Sequence, residues 1–281
     1  MFTESENSAG QIGASRRGRR RRMLVIQTAA ALRTPDTDFA EIIHTPESVP
    51  APVNKSASPA SGPTVADSPT LSANDGERIK DLLEDVQPHT WVFTGDNLGF
   101  QAEQARRGWI EHFSDFIHEK IERKQDIILN SSIADSSIEH ILNDVEWRVL
   151  RFQPDVVLLM PSADECARHG EDVGFRDKLQ QLTERLHDEG CTVVLNTPPC
   201  PTGANHSQTK SMKTAASRIR TVATRTGAVL ADHFSHWQAS LQHDGSNANL
   251  HAESGKQPSA RGHRELARRL LKSLNIRTRN S

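Results

Sequence analysis

The residues of this chain that could do chemistry are mostly polar side chains that follow short apolar runs. They are Asp96, Asn97, Asp135, Asp164, Glu165, Asp244 and His251. An imidazole, a carboxylate that orients it and a nucleophile are the groups that hydrolyse an ester. Several carboxylates around one pocket could instead bind a hard divalent cation. Because no carboxylate spacing here is a known ligand motif, we expect neither a metal nor a cofactor.

Five short apolar runs are typical of strands that are buried on both faces of a parallel sheet. These strand candidates are Trp91–Phe93, Ile127–Leu129, Val156–Met160, Thr192–Leu195 and Ala228–Leu230. Five stripes of apolar residues three and four positions apart indicate amphipathic helices. The stripes begin at Ile110, Ile138, Phe175, Met212 and Leu266. Gly190 and Gly227, each just before a strand, are suited to end helices.

This alternation of strands and helices predicts a doubly wound α/β domain. In such a sheet, ligands bind beyond the carboxyl ends of the strands. The polar residues that follow the strands are therefore expected to meet at one edge of the sheet.

The segments after the strands resemble the signature blocks of the SGNH (GDSL-type) hydrolase superfamily. Residues 94–97 read Thr-Gly-Asp-Asn where the family has Gly-Asp-Ser, and residues 130–137 resemble its second block, Asn-x-x-Ile-Ser-Gly-x-Thr. Residues 161–165 resemble Gly-x-Asn-Asp, residues 196–199 the proline-containing loop, and residues 249–251 the final Asp-x-x-His block. The resemblance implies a three-layer α/β/α, flavodoxin-like fold with a parallel five-stranded sheet. Members are esterases, lipases, thioesterases and carbohydrate deacetylases.

The resemblance also shows where this chain departs from the family. The family's nucleophile is the Ser of Gly-Asp-Ser, and its oxyanion donors include the second-block Gly N–H and the third-block Asn side chain. Here Asn97 stands at the Ser position, Asp135 at the Gly, Asp164 at the Asn and Ala248 at the acid. Only His251 is retained. Because an ionised carboxylate accepts hydrogen bonds and repels an oxyanion, we expect ester hydrolysis to be lost or strongly reduced.

The leading hypothesis is therefore a pocket, lined by residues 96, 135, 164 and 165, that is retained for an acylated ligand such as an acetylated carbohydrate. One alternative is an active esterase, lipase or deacetylase. Its nucleophile would be Ser131, Ser132 or Ser162, and Asp244 would orient His251 if Ser246–Asn249 is an insertion.

Simpler roles also remain open. Asn97, Asp135 and Asp164 could cap helices, because Asn and Asp suit helix N-termini. His251 could be a surface histidine in a polar loop. The domain could also be a non-enzymatic interaction module whose basic arm recruits a partner.

Composition divides the 281 residues into two parts. Residues 1–74 carry a basic run and then a Pro, Ser and Ala-rich stretch, which predicts a disordered arm, and residues 75–281 form the domain. A net charge of −2 excludes a generally basic nucleic-acid binder, and no apolar run is long enough for a transmembrane segment. Three cysteines without a paired spacing argue against a disulfide framework.

The segment Arg16–Leu32 has the order of a signal peptide, but Gln27 interrupts its short apolar part. A cytoplasmic location is thus favoured, and export stays open. The expected partner is a small-molecule or glycan ester, and the sequence does not indicate the oligomeric state.

Overall fold

The structure is a computed structural model that describes residues 74–95, 98, 107–201, 203–244, 250–251 and 257–276, without the side chains of 241–244. The expected disordered arm lies outside the described residues apart from Asn74, as does the signal-like segment Arg16–Leu32. Both expectations stay predictions. No helix within the described ranges is long and apolar enough to cross a membrane.

The five apolar runs form the five strands of one parallel sheet, as predicted. The strands are β1 (Thr90–Gly95), β2 (Ile127–Asn130), β3 (Val156–Met160), β4 (Thr192–Thr197) and β5 (Val229–Asp232). They lie in the order β2-β1-β3-β4-β5 and every neighbouring pair is parallel. This is the flavodoxin-like order, with the reversal of strand order beside β1. The predicted fold class is confirmed.

Helices cover both faces of this sheet. The α-helices of the described residues include α1 (Asp75–Glu84), α2 (Trp109–Asp115), α3 (Ile138–Asn143), α4 (Val145–Arg148), α5 (Ala163–His169), α6 (Val173–Asp188), α7 (His206–Thr226), α8 (His233–Asp244) and α9 (Ala260–Ser273). A π-helical turn, Phe116–Lys120, continues α2, and a 3₁₀ turn, Leu150–Phe152, follows α4. Gly190 and Gly227 adopt φ values of 82° and 77°, so both end helices as expected.

Alternate side chains of the strands divide the core into two layers. Trp91 and Phe93 of β1 pack with the buried faces of α1, α2 and α9. Val92, between them in sequence, packs on the other side with α3, α6 and α7, because successive side chains of a strand point to opposite faces. The edge strands β2 and β5 are less buried than the three central strands, and Ile127 of β2 is 53% exposed. All three cysteines are buried.

The carboxyl end of β1 approaches β3 more closely than a side chain would allow. A Cβ placed on Gly95 would lie 2.3 Å from the carbonyl oxygen of Met160. Position 95 therefore requires glycine. This contact positions the start of the first signature block directly against the end of β3.

Candidate functional site

A cavity of about 330 Å³ lies at the carboxyl ends of β1, β3 and β4. This first cavity is where the sequence predicted a ligand site. Much of its wall is apolar, with Leu98, Trp109, Met160 and Met212 among its lining residues. Its polar lining includes Thr94, Ser132, Ser162, Asp164, His251 and Gln257. Its volume is within the range of small-molecule sites.

His251 lies in the wall of this cavity, as the sequence predicted, but it is not the surface residue of the simpler hypothesis. It is 5% exposed and forms an isolated antiparallel bridge with Pro258. The indole N–H of Trp237, which is fully buried, donates a hydrogen bond of 3.0 Å to His251 Nε2. Because an indole can only donate, Nε2 must be the unprotonated nitrogen and Nδ1 carries the proton.

Burial lowers the pKa of His251 below its ordinary value of 6.5, while nearby backbone groups of Gln257 and Cys200 oppose the shift. Those groups lie near the ring, although Nδ1 makes no hydrogen bond to any described residue. The imidazole is therefore neutral at neutral pH, and its only basic nitrogen already accepts a hydrogen bond. A general base must accept a proton from the nucleophile, so His251 can do so only if Trp237 first releases Nε2.

The acid proposed for His251 cannot be placed against it. Asp244 is the last residue of α8, and its side chain lies outside the described residues. Asp96 and Asn97 also lie outside them, although Gly95 and Leu98 on either side line the first cavity. The roles expected for Asp96, Asn97 and Asp244 stay predictions.

The three serines considered as relocated nucleophiles differ in their contacts. The Ser131 hydroxyl donates to the Phe93 carbonyl at 3.1 Å. Ser162 is 5% exposed and caps α5, where its Oγ accepts from the Glu165 N–H at 3.4 Å. Ser132 lines the first cavity, and no described residue forms a hydrogen bond with its hydroxyl. Ser132 is thus the one of these three whose hydroxyl is uncommitted.

The carboxylates expected around one pocket are divided between two cavities. Asp164, exposed in the first turn of α5, borders the first cavity and also a second cavity of about 430 Å³. Asp135 and Glu165 line only the second cavity. The described residues contain no group of three His, Cys, Asp or Glu side chains placed to hold a metal ion. The interpretation as a single cation-binding cluster is therefore not supported within those residues.

Asp135 adopts a backbone conformation that normally favours glycine. Its φ is 57°, in the left-handed region that aspartate tolerates better than most side chains. This agrees with its alignment to the second-block glycine. The donor that the resemblance assigns to this position is a backbone N–H, which aspartate retains. The carboxylate of Asp135 lines the other cavity, so of these two carboxylates only that of Asp164 lies beside the first.

Glu165 has a structural task. Both of its carboxylate oxygens accept from the backbone N–H of Ile138, each at 3.1 Å. This is the first residue of α3, so the carboxylate satisfies a donor at a helix N-terminus. The expected capping role of Asp135 is wrong, because Ser137 caps α3. Asp164 lies in the first turn of α5 but does not cap it, since Ser162 does.

Arg148 is a buried residue near the site that sequence reasoning missed. It is 2% exposed, and its guanidinium donates to Gly95 O at 2.6 Å, to Ser131 O at 3.0 Å and to Ser136 Oγ. It thereby connects the end of β1 to the loop after β2. The sequence does indicate that position 148 is buried, because it lies three residues after Val145 on the same apolar helix face.

Comparisons with known proteins agree with the fold and the signature blocks. The model of the GDSL-like lipase/acylhydrolase family matches residues 91–265. LAE5, described as an α/β hydrolase enzyme from the metagenome of Lake Arreo, Spain, is 18% identical with a TM-score of 0.59, over 69% of this chain and 98% of that one. Axe2, an acetylxylan esterase from Geobacillus stearothermophilus, is 17% identical with a TM-score of 0.58, over 69% and 97%. No curated protein matches the sequence. At these identities the solved structures show a shared fold.

Proposed function

Because the chain belongs to the GDSL-like lipase/acylhydrolase family, we propose that its first cavity binds an acylated ligand and hydrolyses it slowly or not at all. The apolar part of the cavity wall suits an acyl group. An acetylated carbohydrate is the ligand we favour, since Axe2, which shares the fold, is an acetylxylan esterase.

The observation that carries this proposal is the hydrogen bond between Trp237 and His251 Nε2. In a serine hydrolase the imidazole nitrogen that faces the nucleophile takes its proton. Here that nitrogen accepts a hydrogen bond from a buried indole, and the position of the nucleophile holds Asn97. Asp164, at the position of an oxyanion donor, lines the cavity with a carboxylate instead. Hydrolysis thus lacks a free nitrogen on its base, a nucleophile at the expected position and one oxyanion donor.

A second candidate function is ester hydrolysis by a relocated nucleophile. The uncommitted hydroxyl of Ser132 in the cavity wall favours this alternative. It also requires that Trp237 release His251 and that Asp244 orient the imidazole.

Two measurements on the full chain separate these functions. We expect hydrolysis of p-nitrophenyl acetate and butyrate at the background rate, together with binding of an acetylated xylo-oligosaccharide by isothermal titration calorimetry. The variants His251→Ala and Ser132→Ala test the alternative, and His206→Ala, an exposed histidine of α7, is the matched control. Turnover well above background that either test variant abolishes and the control preserves would establish the hydrolase instead.

A further inference from the structure

The second cavity, lined by residues of α3, α5 and α6 and by the loop after β2, adjoins the first. Ser162 and Asp164, at the start of α5, line both. One covalent ligand could therefore extend from the first cavity into the second across this shared wall. The volume of the second cavity, about 430 Å³, is also within the range of small-molecule sites.

The second cavity contains uncompensated hydrogen-bond acceptors. The carboxylates of Asp135 and Asp164 are exposed, and neither has a hydrogen bond or ion pair with the described residues. The other acids of the lining have partners: Glu139 pairs with Lys178 at 2.7 Å, Glu165 accepts from the Ile138 N–H, and Asp172 lies 3.8 Å from His169 Nδ1. Two carboxylates therefore remain for a ligand or for water.

The same cavity contains uncompensated donors. The Arg168 guanidinium makes one bond within the described residues, from Nε to the Asp164 carbonyl at 3.3 Å, which leaves its terminal nitrogens for a ligand. At the N-terminus of the 16-residue helix α6, the N-cap residue Asp172 makes no side-chain capping bond. Gly174, in this first turn, lines the cavity, and a Cβ added there would meet nothing within 4 Å.

A lining that mixes free donors and free acceptors selects for ligand groups that do both. A hydroxyl both donates and accepts, so a sugar can satisfy the carboxylates and the guanidinium together. The carboxylates of Asp135 and Asp164 would repel an anionic ligand, and Arg168 and the positive end of α6 would repel a cationic one. A hydrocarbon would remove these groups from water without replacing its hydrogen bonds.

We propose that the second cavity binds an uncharged carbohydrate, the alcohol part of a ligand whose acyl group occupies the first cavity. This rests on the proposed function, because the first cavity must bind the acyl end. The second cavity is then a second subsite in which Asp135, Asp164 and Arg168 recognise the sugar, and lipid esters are not the preferred ligands.

The test is an NMR titration of the ¹⁵N-labelled full chain with ethyl acetate, acetylated xylobiose and unmodified xylobiose. We expect ethyl acetate to shift amides of the first cavity, such as Ala167, and acetylated xylobiose to shift in addition those of Ser137, Gly174 and Lys178. Acetylated xylobiose should bind at least about tenfold more tightly than ethyl acetate, because it adds hydrogen bonds to charged groups. Unmodified xylobiose should shift only the second-cavity amides.

Two variants assign the effect to the second cavity. Asp135→Gly removes the carboxylate and keeps the backbone conformation, and Arg168→Ala removes the guanidinium. Each variant should bind acetylated xylobiose about fivefold or more weakly than the unmodified chain and should bind ethyl acetate with unchanged affinity. Arg176→Ala is the control, since Arg176 bonds Asp177 on α6 and lines neither cavity.

The outcomes distinguish this inference from the function on which it rests. If ethyl acetate and acetylated xylobiose bind equally well, or if both variants bind the disaccharide like the unmodified chain, the second subsite is refuted and the acyl-binding cavity stands. If no acylated ligand shifts any first-cavity amide, the proposed function fails and the subsite fails with it.

Discussion

The protonation state of one imidazole decides what the first cavity can do. His251 is the only family residue of the catalytic set that is retained, and its Nε2 accepts from Trp237. Because burial lowers its pKa below 6.5, more than half of the population is neutral at pH 6.5. A hydrogen-bond donor on one nitrogen and a lowered pKa together make His251 a poor base toward a nucleophile in the cavity.

We predict that His251 carries its proton on Nδ1, and that Trp237→Phe releases this constraint. Long-range ¹H–¹⁵N correlation spectra at pH 7.5 should show the Nδ1–H tautomer in the unmodified chain and a mixture of tautomers in the variant. The variant should also lose about 2 kcal/mol of unfolding free energy, because a buried side chain shrinks and Nε2 loses its partner. An Nε2–H tautomer in the unmodified chain would contradict the assignment.

A second prediction at the residue scale concerns the φ of 57° at Asp135. Asp135→Gly should change the free energy of unfolding by less than about 1 kcal/mol, since glycine adopts this conformation freely. Asp135→Val should cost roughly 1–2 kcal/mol or more, because a β-branched side chain clashes there. Urea unfolding of both variants measures the difference. Equal stability of the two would show that residue 135 does not adopt this conformation in solution.

At the scale of elements, strands were predicted better than helices. Each of the five apolar runs overlaps a strand, yet β1, β4 and β5 each continue two residues beyond the carboxyl end of the run. The extra residues of β4 are polar but satisfied: Asn196 donates to the Leu159 carbonyl and Thr197 to Asp232. Tertiary partners of this kind are set by strand order, which periodicity along the chain does not contain.

Helix boundaries were predicted less well where one apolar stripe continues across the end of one helix and the start of the next. The apolar stripe from Ile138 to Val149 suggested one helix, but the structure has α3, α4 and a 3₁₀ turn, with Asp144 at φ −102° and ψ 9° between the first two. Helices α1, α5 and α8 carry few apolar residues and were not predicted. Hydrophobic spacing reports which face is buried, and it reports continuity only weakly.

The candidate site was predictable in position and only partly in composition. Spacing after the strands correctly brought His251 and Asp164 to one cavity. It could not separate Asp135 and Glu165 into the second cavity, because the direction of a side chain in a loop depends on backbone angles. Trp237 had no sequence signal as a partner of His251, since the two residues are 14 positions apart in the chain.

We predict that Arg148 holds the two loops of the site together. Arg148→Met should cost about 3 kcal/mol or more of unfolding free energy, since it leaves the buried acceptors at Gly95, Ser131 and Ser136 unsatisfied. Hydrogen exchange should rise in residues 131–137 more than in β3. Arg151→Met, an exposed arginine of the following 3₁₀ turn, is the matched control. A uniform rise across the sheet would mean that the residue supports the whole core and has no special role in these loops.

At the scale of the whole molecule, buried histidines make stability depend on pH. His233 and His263 are 0% and 1% exposed, and burial is the main cause that lowers their pKa values to about 3 and about 4. Around His233, Arg269 and His236 add to the shift while Asp232 and Glu265 oppose it. Between these values and the unfolded value of 6.5, the unfolded chain binds more protons than the folded one. These two histidines therefore do not reduce the free energy of unfolding above pH 6.5. They reduce it progressively as the pH falls from 6.5 toward their pKa values in the folded state.

The expected loss at pH 5 is about 2 kcal/mol for each of these two histidines, relative to pH 7.5. Urea unfolding at both pH values measures it. His233→Gln should reduce the difference by about half, while His206→Ala, on the surface of α7, should leave it unchanged. A free energy of unfolding that stays constant from pH 7.5 to 5 would show that these imidazoles are accessible to protons in the folded state.

Contacts of the first helix support the domain boundary proposed at residue 75. Asp75 is 3% exposed, and its carboxylate accepts from the Val193 N–H at 3.0 Å and lies 2.7 Å from His187 Nε2. Asn74 caps α1, and Ile79 of that helix is fully buried. The first helix is thus part of the core, although its composition alone did not indicate this. If residues 1–73 form the disordered arm that their composition predicts, a chain of residues 74–281 should have a free energy of unfolding within about 0.5 kcal/mol of that of the full chain.

A chain of residues 86–281 should instead lose more than about 3 kcal/mol or fail to fold, because it lacks the buried side chain of Ile79 and leaves the partners of Asp75 unsatisfied. Circular dichroism during urea titration compares the three chains. Asp75→Ala in the full chain is the matched control, and it should account for part of the loss by removing the carboxylate while keeping the helix. A large loss already in the 74–281 chain would place part of the fold in the arm and move the boundary toward the N-terminus.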